Sequence, residues 1–298
     1  MATRRRAFIR ASPPCTLDCR GAADHFAATQ DARSTGMKKQ SVILRLATTI
    51  VLALILGPIL IIVLYSFSSA ESLVFPPPGL TLRWFHEFFV IAEMRSAFIL
   101  SLVLALVAAS ASGVLGLLGA VYVSRRTGAW VNVLQTLFMA PLVFPTVILG
   151  LALLLLYRQL GIGTLPGLLI GHVVVCLPYA FRSVLSVLQS FDTALEEAGQ
   201  SLGAGPMRSF LLITVPIIWP GILSAWLFGF IVSFGELNAA LFLTGPGVTT
   251  LPIETFSYLQ FQGSQLVVAA ASTIQVLMII VLLTVAAKFV GVKRVVQR

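Results

Sequence analysis

Residues 97–123 read AFILSLVLALVAASASGVLGLLGAVYV and contain no charged side chain. About 20 predominantly apolar residues are enough for a helix to cross the hydrocarbon core of a bilayer. This stretch therefore predicts a transmembrane helix, and apolar segments of similar length recur along the chain. We predict six spans, at residues 42–65, 97–123, 131–157, 165–188, 217–243 and 266–290.

The composition of the 298-residue chain agrees with this prediction. Hydrophobic residues make up 58% of it, charged residues 10%, and the mean hydropathy is +0.97. Soluble domains carry roughly 25% charged residues, so this chain has too little polar surface to cover a folded core in water. The composition excludes a soluble enzyme, a nucleic-acid-binding domain and a disordered chain, and it predicts an all-α integral membrane protein.

Small residues and prolines predict how the spans pack. Ser112, Gly116 and Ala120 repeat at intervals of four within the second span, which creates a face that neighbouring helices can approach closely. Pro141, Pro145 and Pro178 fall within the third and fourth spans and predict kinks there. Buried neighbours or water can satisfy the carbonyls that such prolines leave free.

The positions of the basic residues predict the orientation in the membrane. From residue 37 onward, three basic side chains, Arg83, Arg95 and Arg158, fall on one side of the predicted spans. Cytoplasmic loops carry an excess of Lys and Arg, so the opposite, more basic side and both termini should be cytoplasmic. The net charge of +9 thus indicates orientation rather than binding to nucleic acid. The basic residues of the cytoplasmic side are Lys38, Lys39, Arg45, Arg125, Arg126, Arg182, Arg208, Lys288, Lys293, Arg294 and Arg298.

The first 36 residues differ from the rest of the chain. They hold six arginines and no long apolar run. An arginine pair at residues 5–6 is similar to a twin-arginine export signal, but prolines follow where that signal needs an apolar segment. We expect residues 1–36 to be a disordered tail or a misassigned start, residues 37–80 to be the first span and an outer loop, and residues 291–298 to be a cytoplasmic tail.

The polar segment between the fourth and fifth spans, residues 191–216, reads FDTALEEAGQSLGAGPMRSFLLITVP. Asp192 can cap a helix whose first turn carries acidic residues, an arrangement that the helix dipole favours. Gly203 and Gly205 end this helix, and Pro206 suits the first position of a second one. We call this segment the elbow and predict a helix–turn–helix exposed to the cytoplasm. A simple connector between spans is the alternative.

The elbow resembles the EAA motif of binding-protein-dependent ABC importer permeases. That pattern is E-A-A, three residues, G, nine residues, then I-x-L-P. The chain has Glu197-Ala198-Gly199, Gly203, Ile213 and Val215-Pro216, and every spacing is kept. Gly199 replaces the second Ala and Val215 replaces Leu.

The resemblance extends over residues 81–290, as a type I ABC importer transmembrane domain. LRWF at 82–85, APLVFP at 140–145, LPY at 177–179 and SFGEL at 233–237 are similar to permeases of the spermidine/putrescine-type branch. The family fold that this implies has six transmembrane helices. Its elbow is a coupling helix that inserts into a groove of a cytoplasmic ATPase.

The resemblance implies a role for the elbow and a set of partners. Glu197 would contact the ATPase and Gly203 would provide the turn. The partners would be ABC ATPase subunits carrying ATP and Mg²⁺, a second permease subunit, an extracytoplasmic solute-binding protein and the lipid of the bacterial inner membrane. The implied coupling residues are Glu196, Glu197, Ala198, Gly199, Gly203, Ala204 and Pro206.

The chain itself has no pattern for ATP hydrolysis or metal binding. None of its four lysines follows a glycine, so a Gly-Lys-Ser/Thr phosphate loop is absent from the sequence. The three histidines are scattered, and we identify no catalytic residues and no metal ligands. A membrane enzyme is therefore disfavoured.

Glu236 is the acidic residue within a predicted span, and such groups are functional candidates because burying a charge in a membrane is costly. We place it with Ser233 and Asn238 in a substrate pathway or gate; a packing carboxylate is the alternative. Polyamine-type relatives often have a second acid where Gly235 stands here. We expect a polyamine-like solute such as spermidine or putrescine, with 2-aminoethylphosphonate, ferric iron or another small solute as alternatives. His172 should be a hydrogen-bonding residue between helices.

A different class of protein, an ion-coupled secondary transporter, would need inverted repeats or several ionisable groups in the membrane. One intramembrane acid gives that alternative little support. The sequence therefore favours the permease subunit of an ATP-driven importer that does not hydrolyse ATP itself.

Overall fold

The structure is a computed structural model that describes residues 44–261 and 264–296, with the side chains described up to residue 288. The predictions for residues 1–36 lie outside the described residues, as do the last two residues of the predicted cytoplasmic tail. The rest of that tail continues the last helix as far as Val296.

The regular structure of the described residues is helical, apart from two isolated β-bridges. A π-helical turn at Phe210–Thr214 connects two of the helices. The helices are α1 (Leu44–Ser66), α2 (Arg83–Val90), α3 (Ala92–Ser124), α4 (Ala129–Val143), α5 (Thr146–Leu160), α6 (Thr164–Leu188), α7 (Ala194–Ser201), α8 (Pro206–Ser209), α9 (Val215–Phe234), α10 (Ala240–Leu243), α11 (Leu251–Phe261) and α12 (Gln265–Val296).

The chain divides into two compact units at Leu60. The described part of the first unit, residues 44–60, is a continuous stretch of α1, and the second unit contains α2 to α12. Five helical segments of the described residues are long and apolar enough to cross a membrane, and a bent pair of helices brings the number to six if it counts as one span. The five are α1, α3, α6, the continuous run from Pro206 to Phe234, and α12. The predicted all-α membrane fold is confirmed.

The third predicted span, residues 131–157, bends far more sharply than the predicted kinks imply. Residues 131–157 form parts of α4 and α5, which meet at an angle of 107°. Phe144 has an extended conformation, with φ −86° and ψ 138°, as is favoured for a residue before proline, and Pro145 directly precedes α5. Pro145 therefore breaks the helix rather than kinking it, whereas Pro141 and Pro178 lie inside α4 and α6.

The fifth predicted span, residues 217–243, ends earlier than expected. Helix α9 stops at Phe234, a turn over Gly235–Ala239 follows, and the short α10 completes the predicted range. At its other end the helical path begins at Pro206 and runs through the π-helical turn into α9 without an intervening loop. The elbow is thus directly continuous with a candidate transmembrane helix.

Helices α3, α6 and α9 pack against one another and form the centre of the second unit. The predicted small-residue face of α3 is confirmed, since Ser112, Gly116 and Ala120 are all buried. A Cβ atom at Gly116 would lie 2.7 Å from the backbone nitrogen of Phe181 on α6. Only glycine permits this approach, which brings the backbones of α3 and α6 into contact.

Two shorter helices pack beside this centre. In α2, Trp84 is buried and donates a hydrogen bond from Nε1 to the Ser68 carbonyl at 2.7 Å. Helix α11 was not predicted, and its first backbone N–H, that of Leu251, donates to the Ser101 hydroxyl of α3 at 2.7 Å. The first contact holds the loop before α2 against α2, and the second holds the start of α11 against α3.

Candidate functional site

The first helix of the elbow, α7, begins one residue later than a cap at Asp192 implies, since its N-cap residue is Thr193. The Asp192 carboxylate accepts a hydrogen bond from the backbone N–H of Ala194 at 3.0 Å, the first residue of the helix. Glu196 and Glu197 both lie in the first turn. The carboxylates therefore lie where the unpaired N–H groups and the helix dipole favour negative charge.

The end of α7 is fixed by Gly203. Its φ is +92°, in the left-handed region that favours glycine. Its N–H donates to the Gln200 carbonyl at 2.9 Å, and the N–H of Ala204 donates to the Gly199 carbonyl at 3.1 Å. This pair of bonds is the Schellman arrangement, which satisfies the last carbonyls of a helix and reverses the chain.

The second half of the elbow begins at the predicted residue. Pro206 is the first residue of α8, where its missing N–H costs no hydrogen bond. The π-helical turn follows α8, and Ile213 within it packs against α7. A Cβ atom at Gly199 would lie 2.5 Å from Ile213 Cδ1. The glycine that replaces alanine in the motif therefore makes room for this isoleucine.

The two adjacent acids of α7 face opposite environments. Glu196 is buried, with 8% of its surface exposed, whereas Glu197 is exposed. Glu196 Oε1 accepts a hydrogen bond from the Thr214 hydroxyl, and the same oxygen accepts one from Arg125 Nη2 at 2.5 Å. Sequence reasoning missed Arg125 as a partner of the elbow, because 71 residues separate it from Glu196 and no local pattern connects them.

The outward side of the elbow combines an acid with apolar side chains. Among the described residues, no side chain pairs with the Glu197 carboxylate. Leu202 is 90% exposed and Met207 68% exposed. We call Glu197, Leu202 and Met207 the elbow surface. Ala198, Gly203 and Pro206 are exposed beside it, while Gly199 and Ala204 are partly covered.

The predicted pathway residues near the end of α9 lie close together but face different surroundings. Ser233 is buried, and its hydroxyl lies 2.8 Å from Nδ1 of His172 on α6. This confirms His172 as a hydrogen-bonding residue between helices. Glu236 is 9% exposed, and its Oε1 accepts the N–H of Ala239 at 2.8 Å, within its own turn. Asn238 is exposed and does not join the buried group.

Two further polar atoms belong to this region. Cys176 Sγ lies 3.2 Å from the Gly229 carbonyl, which links α6 to α9 one helical turn from Ser233. His172 Nε2 is buried and has no hydrogen-bond partner among the described residues. Anywhere in the described residues, no group of three or more His, Cys, Asp or Glu side chains is arranged to hold a metal ion.

A protein-family model matches residues 112–293. It describes a binding-protein-dependent transport system inner membrane component. The matched range contains the last 13 residues of α3, all of α4 to α11 with the whole elbow, and most of α12.

Curated relatives match over most of the chain. The Putrescine transport system permease protein PotI of Escherichia coli (strain K12) is 40% identical over 211 residues, which cover 67% of this chain and 74% of that protein. The Spermidine/putrescine transport system permease protein PotC of the same organism is 27% identical over 236 residues, covering 79% of this chain and 89% of that protein.

Solved structures show the same fold at low sequence identity. A chain in the crystal structure of a bacterial ABC transporter involved in the import of the acidic polysaccharide alginate superposes with a TM-score of 0.64 at 17% identity. The match covers 84% of this chain and 95% of the other. A chain of an amino acid ABC transporter crystallised with histidines gives a TM-score of 0.55, also at 17% identity. At these identities the likeness concerns the fold alone.

Proposed function

We propose that this chain, which belongs to the family of binding-protein-dependent transport system inner membrane components, is the permease subunit of an ATP-driven importer of putrescine- or spermidine-like polyamines. The names of the relatives PotI and PotC support this solute class. An extracytoplasmic binding protein delivers the solute, and a second permease subunit completes the pathway. ATP and Mg²⁺ belong to separate ATPase subunits.

The observation that carries the proposal is the geometry of the elbow. Capping at Asp192 and the turn at Gly203 build a compact helical hairpin, and its outward side carries the elbow surface. Exposed apolar side chains next to an acid fit a groove that has an apolar floor and a basic rim. The elbow therefore docks on the ATPase and transmits its movement to α9, with which it is continuous.

The placement of Arg125 supports the proposed orientation. Its bond with Glu196 puts the carboxyl end of α3 and the elbow at the same end of the molecule. Arg126 and Arg208 belong to the same two segments. Because basic residues accumulate on the cytoplasmic side, this end faces the cytoplasm of the bacterial cell, and both termini lie on that side of the inner membrane.

Glu236 supports a cationic solute. Its carboxylate is largely buried beside a candidate transmembrane helix, where a negative charge favours a positively charged partner. Polyamines are such partners, whereas the phosphonate group of 2-aminoethylphosphonate would bring a second negative charge close to it. Glu236 and Ser233 are the proposed contacts with the solute, and Asn238 lies at the exposed end of the same turn.

Co-purification of the ATPase subunit with variants of this chain tests the proposal. We expect E197R to reduce both ATPase recovery and putrescine uptake at least tenfold, because it places a positive charge on the elbow surface. E71R makes the same charge change outside the elbow, at an exposed acid between α1 and α2, and should bind the ATPase normally. Unchanged solute-stimulated ATP hydrolysis after deletion of residues 197–205 would show that the elbow does not couple the subunits.

A further inference from the structure

We infer that Arg125 is a positioning residue for energy coupling: through Glu196 it attaches the elbow to α3, so that α3 moves with α6 and α9 when the ATPase displaces the elbow. This inference rests on the proposed docking of the elbow. The Arg125–Glu196 bond connects a third helix, α3, to the elbow, which the chain already links to α6 and α9.

The geometry centres on a single carboxylate oxygen. Glu196 Oε1 accepts both the Arg125 Nη2 bond and the Thr214 hydroxyl bond. Thr214 directly precedes α9, and Arg125 directly follows the last residue of α3. One buried atom of α7 is therefore bonded to the residue that follows α3 and to the residue that precedes α9.

Arg125 also contacts the second half of the elbow. Its guanidinium carbon lies 5.4 Å from the centre of the Phe210 ring, in the π-helical turn. A planar guanidinium can donate hydrogen bonds and stack on a ring at the same time, which a lysine ammonium does less well. Arg125 thus holds α7 and the π-helical turn together against the end of α3.

The two side chains of this bond differ in exposure. The Arg125 side chain is 40% exposed, whereas that of Glu196 is 10% exposed. In R125Q the Glu196 carboxylate keeps the Thr214 hydroxyl as its partner, so we expect some loss of stability but a folded and assembled chain. The change should appear in how efficiently a movement of the elbow reaches α3.

The adjacent residue Arg126 provides a matched control. Its guanidinium carbon lies 4.9 Å from the centre of the Tyr122 ring, in the last turn of α3, and none of the described carboxylates pairs with it. Arg125 and Arg126 contribute equally to the basic charge at this end of the molecule. A difference between their variants therefore reports the contacts with the elbow and not the charge.

The experiment measures ATP hydrolysed per putrescine imported. The chain is reconstituted into proteoliposomes with its ATPase, partner permease and binding protein. We expect R125Q to raise this ratio about fivefold or more, a typical size for the loss of coupling between two sites. The yield of the assembled complex should match the wild type. R126Q should keep the wild-type ratio, and R125K, which keeps the charge but not the planar fork, should lie between the two.

A second variant keeps the test decisive if R125Q reduces assembly. E196Q retains an oxygen acceptor for Thr214 and removes the charge that Arg125 binds. It should raise the ratio as R125Q does, and the double variant should add little to either single change, because both remove one interaction. Equal ratios for R125Q and R126Q, or additive effects of R125Q and E196Q, would overturn the inference. Normal ATPase binding by E197R would instead count against the proposed docking of the elbow.

Discussion

Gly116 on α3 lies against the backbone of Phe181 on α6, so closely that a Cβ atom at residue 116 would come within 2.7 Å of the Phe181 nitrogen. The same atom would lie 2.9 Å from the Ala180 carbonyl carbon, so both nearest obstacles are backbone atoms. Backbone cannot rotate away as a side chain can. The carboxyl end of α3, nine residues further on, is held through the Arg125 bond to Glu196, whereas at Gly116 helices α3 and α6 are in direct backbone contact.

This contact predicts that Gly116→Ala weakens the packing of α3 on α6. The added methyl group overpacks the contact, which typically costs about 1–3 kcal/mol. Gly113 lies one turn earlier on α3, and a Cβ atom there would meet nothing within 4 Å. Gly113→Ala should be neutral or should stabilise the helix by up to about 1 kcal/mol. Thermal unfolding in detergent compares the two variants. Equal unfolding midpoints would show that α3 and α6 can shift apart to accept a methyl group at residue 116 without loss of stability.

The turn of the elbow offers a second matched pair of glycines. Gly203 has a φ of +92°, whereas Gly205 has an ordinary φ of −65°. A Cβ atom at either position would meet nothing within 4 Å, so only the backbone conformation distinguishes them. Gly203→Ala should strain the turn by about 1–2 kcal/mol, and Gly205→Ala should have little effect.

Trypsin cleavage after the exposed Arg208 measures this strain in the detergent-solubilised protein. Local opening of the elbow should increase roughly 5- to 30-fold in Gly203→Ala, the factor that corresponds to one or two kcal/mol, and cleavage should accelerate accordingly. The Gly205→Ala protein should be cut at the wild-type rate. Identical cleavage of both variants would mean that the left-handed conformation of Gly203 does not hold the turn.

Local chemistry explains which parts of the fold and the elbow were predictable from the sequence. Asp192, Gly203 and Pro206 act through backbone groups within a few residues, so their patterns predict the ends of α7 and the start of α8 to within one residue. The long apolar runs likewise predict α3, α6 and α12. In these cases the physical cause and the sequence signal occupy the same short stretch of chain.

Other features depend on contacts that are distant in sequence or on a choice between similar local outcomes. Pro145 could have kinked or broken its span, and packing of α5 against α6 and α10 accompanies the break. The turn after Phe234 shortens α9 although the apolar run continues beyond it. The bond between Arg125 and Glu196 joins two segments 71 residues apart. None of these outcomes follows from hydrophobic periodicity alone.

Glu236 gives a prediction that separates charge from hydrogen bonding. Glu236→Gln keeps an oxygen that can accept the Ala239 N–H, so the turn after α9 should persist. Its neutral side chain should lower putrescine uptake, because the carboxylate no longer attracts a cation. Glu236→Ala removes both functions and should also reduce the amount of assembled complex. Full putrescine uptake by a normally assembled Glu236→Gln complex would exclude the carboxylate from the solute pathway.

Glu254, in the first turn of α11, gives a prediction about pH. Burial and, to a smaller extent, the nearby charge of Glu93 raise the pKa of Glu254 above its ordinary value of 4.5. A raised pKa means that the folded protein holds the proton more tightly than the unfolded chain. The stabilising contribution of this proton is therefore complete below about pH 4.5 and is lost as the pH rises through the raised value.

Glu254→Gln mimics the protonated acid at every pH, so we expect a higher unfolding midpoint than the wild type at neutral pH. The two midpoints should converge toward pH 4.5. Glu93→Gln removes only the smaller cause of the raised pKa and should produce a smaller shift in the same direction. Unfolding in detergent, followed across this pH range for the three proteins, tests the sign directly. A Glu254→Gln protein less stable than the wild type at neutral pH would show that the ionised carboxylate is stabilised in the folded state, contrary to the effect of its burial.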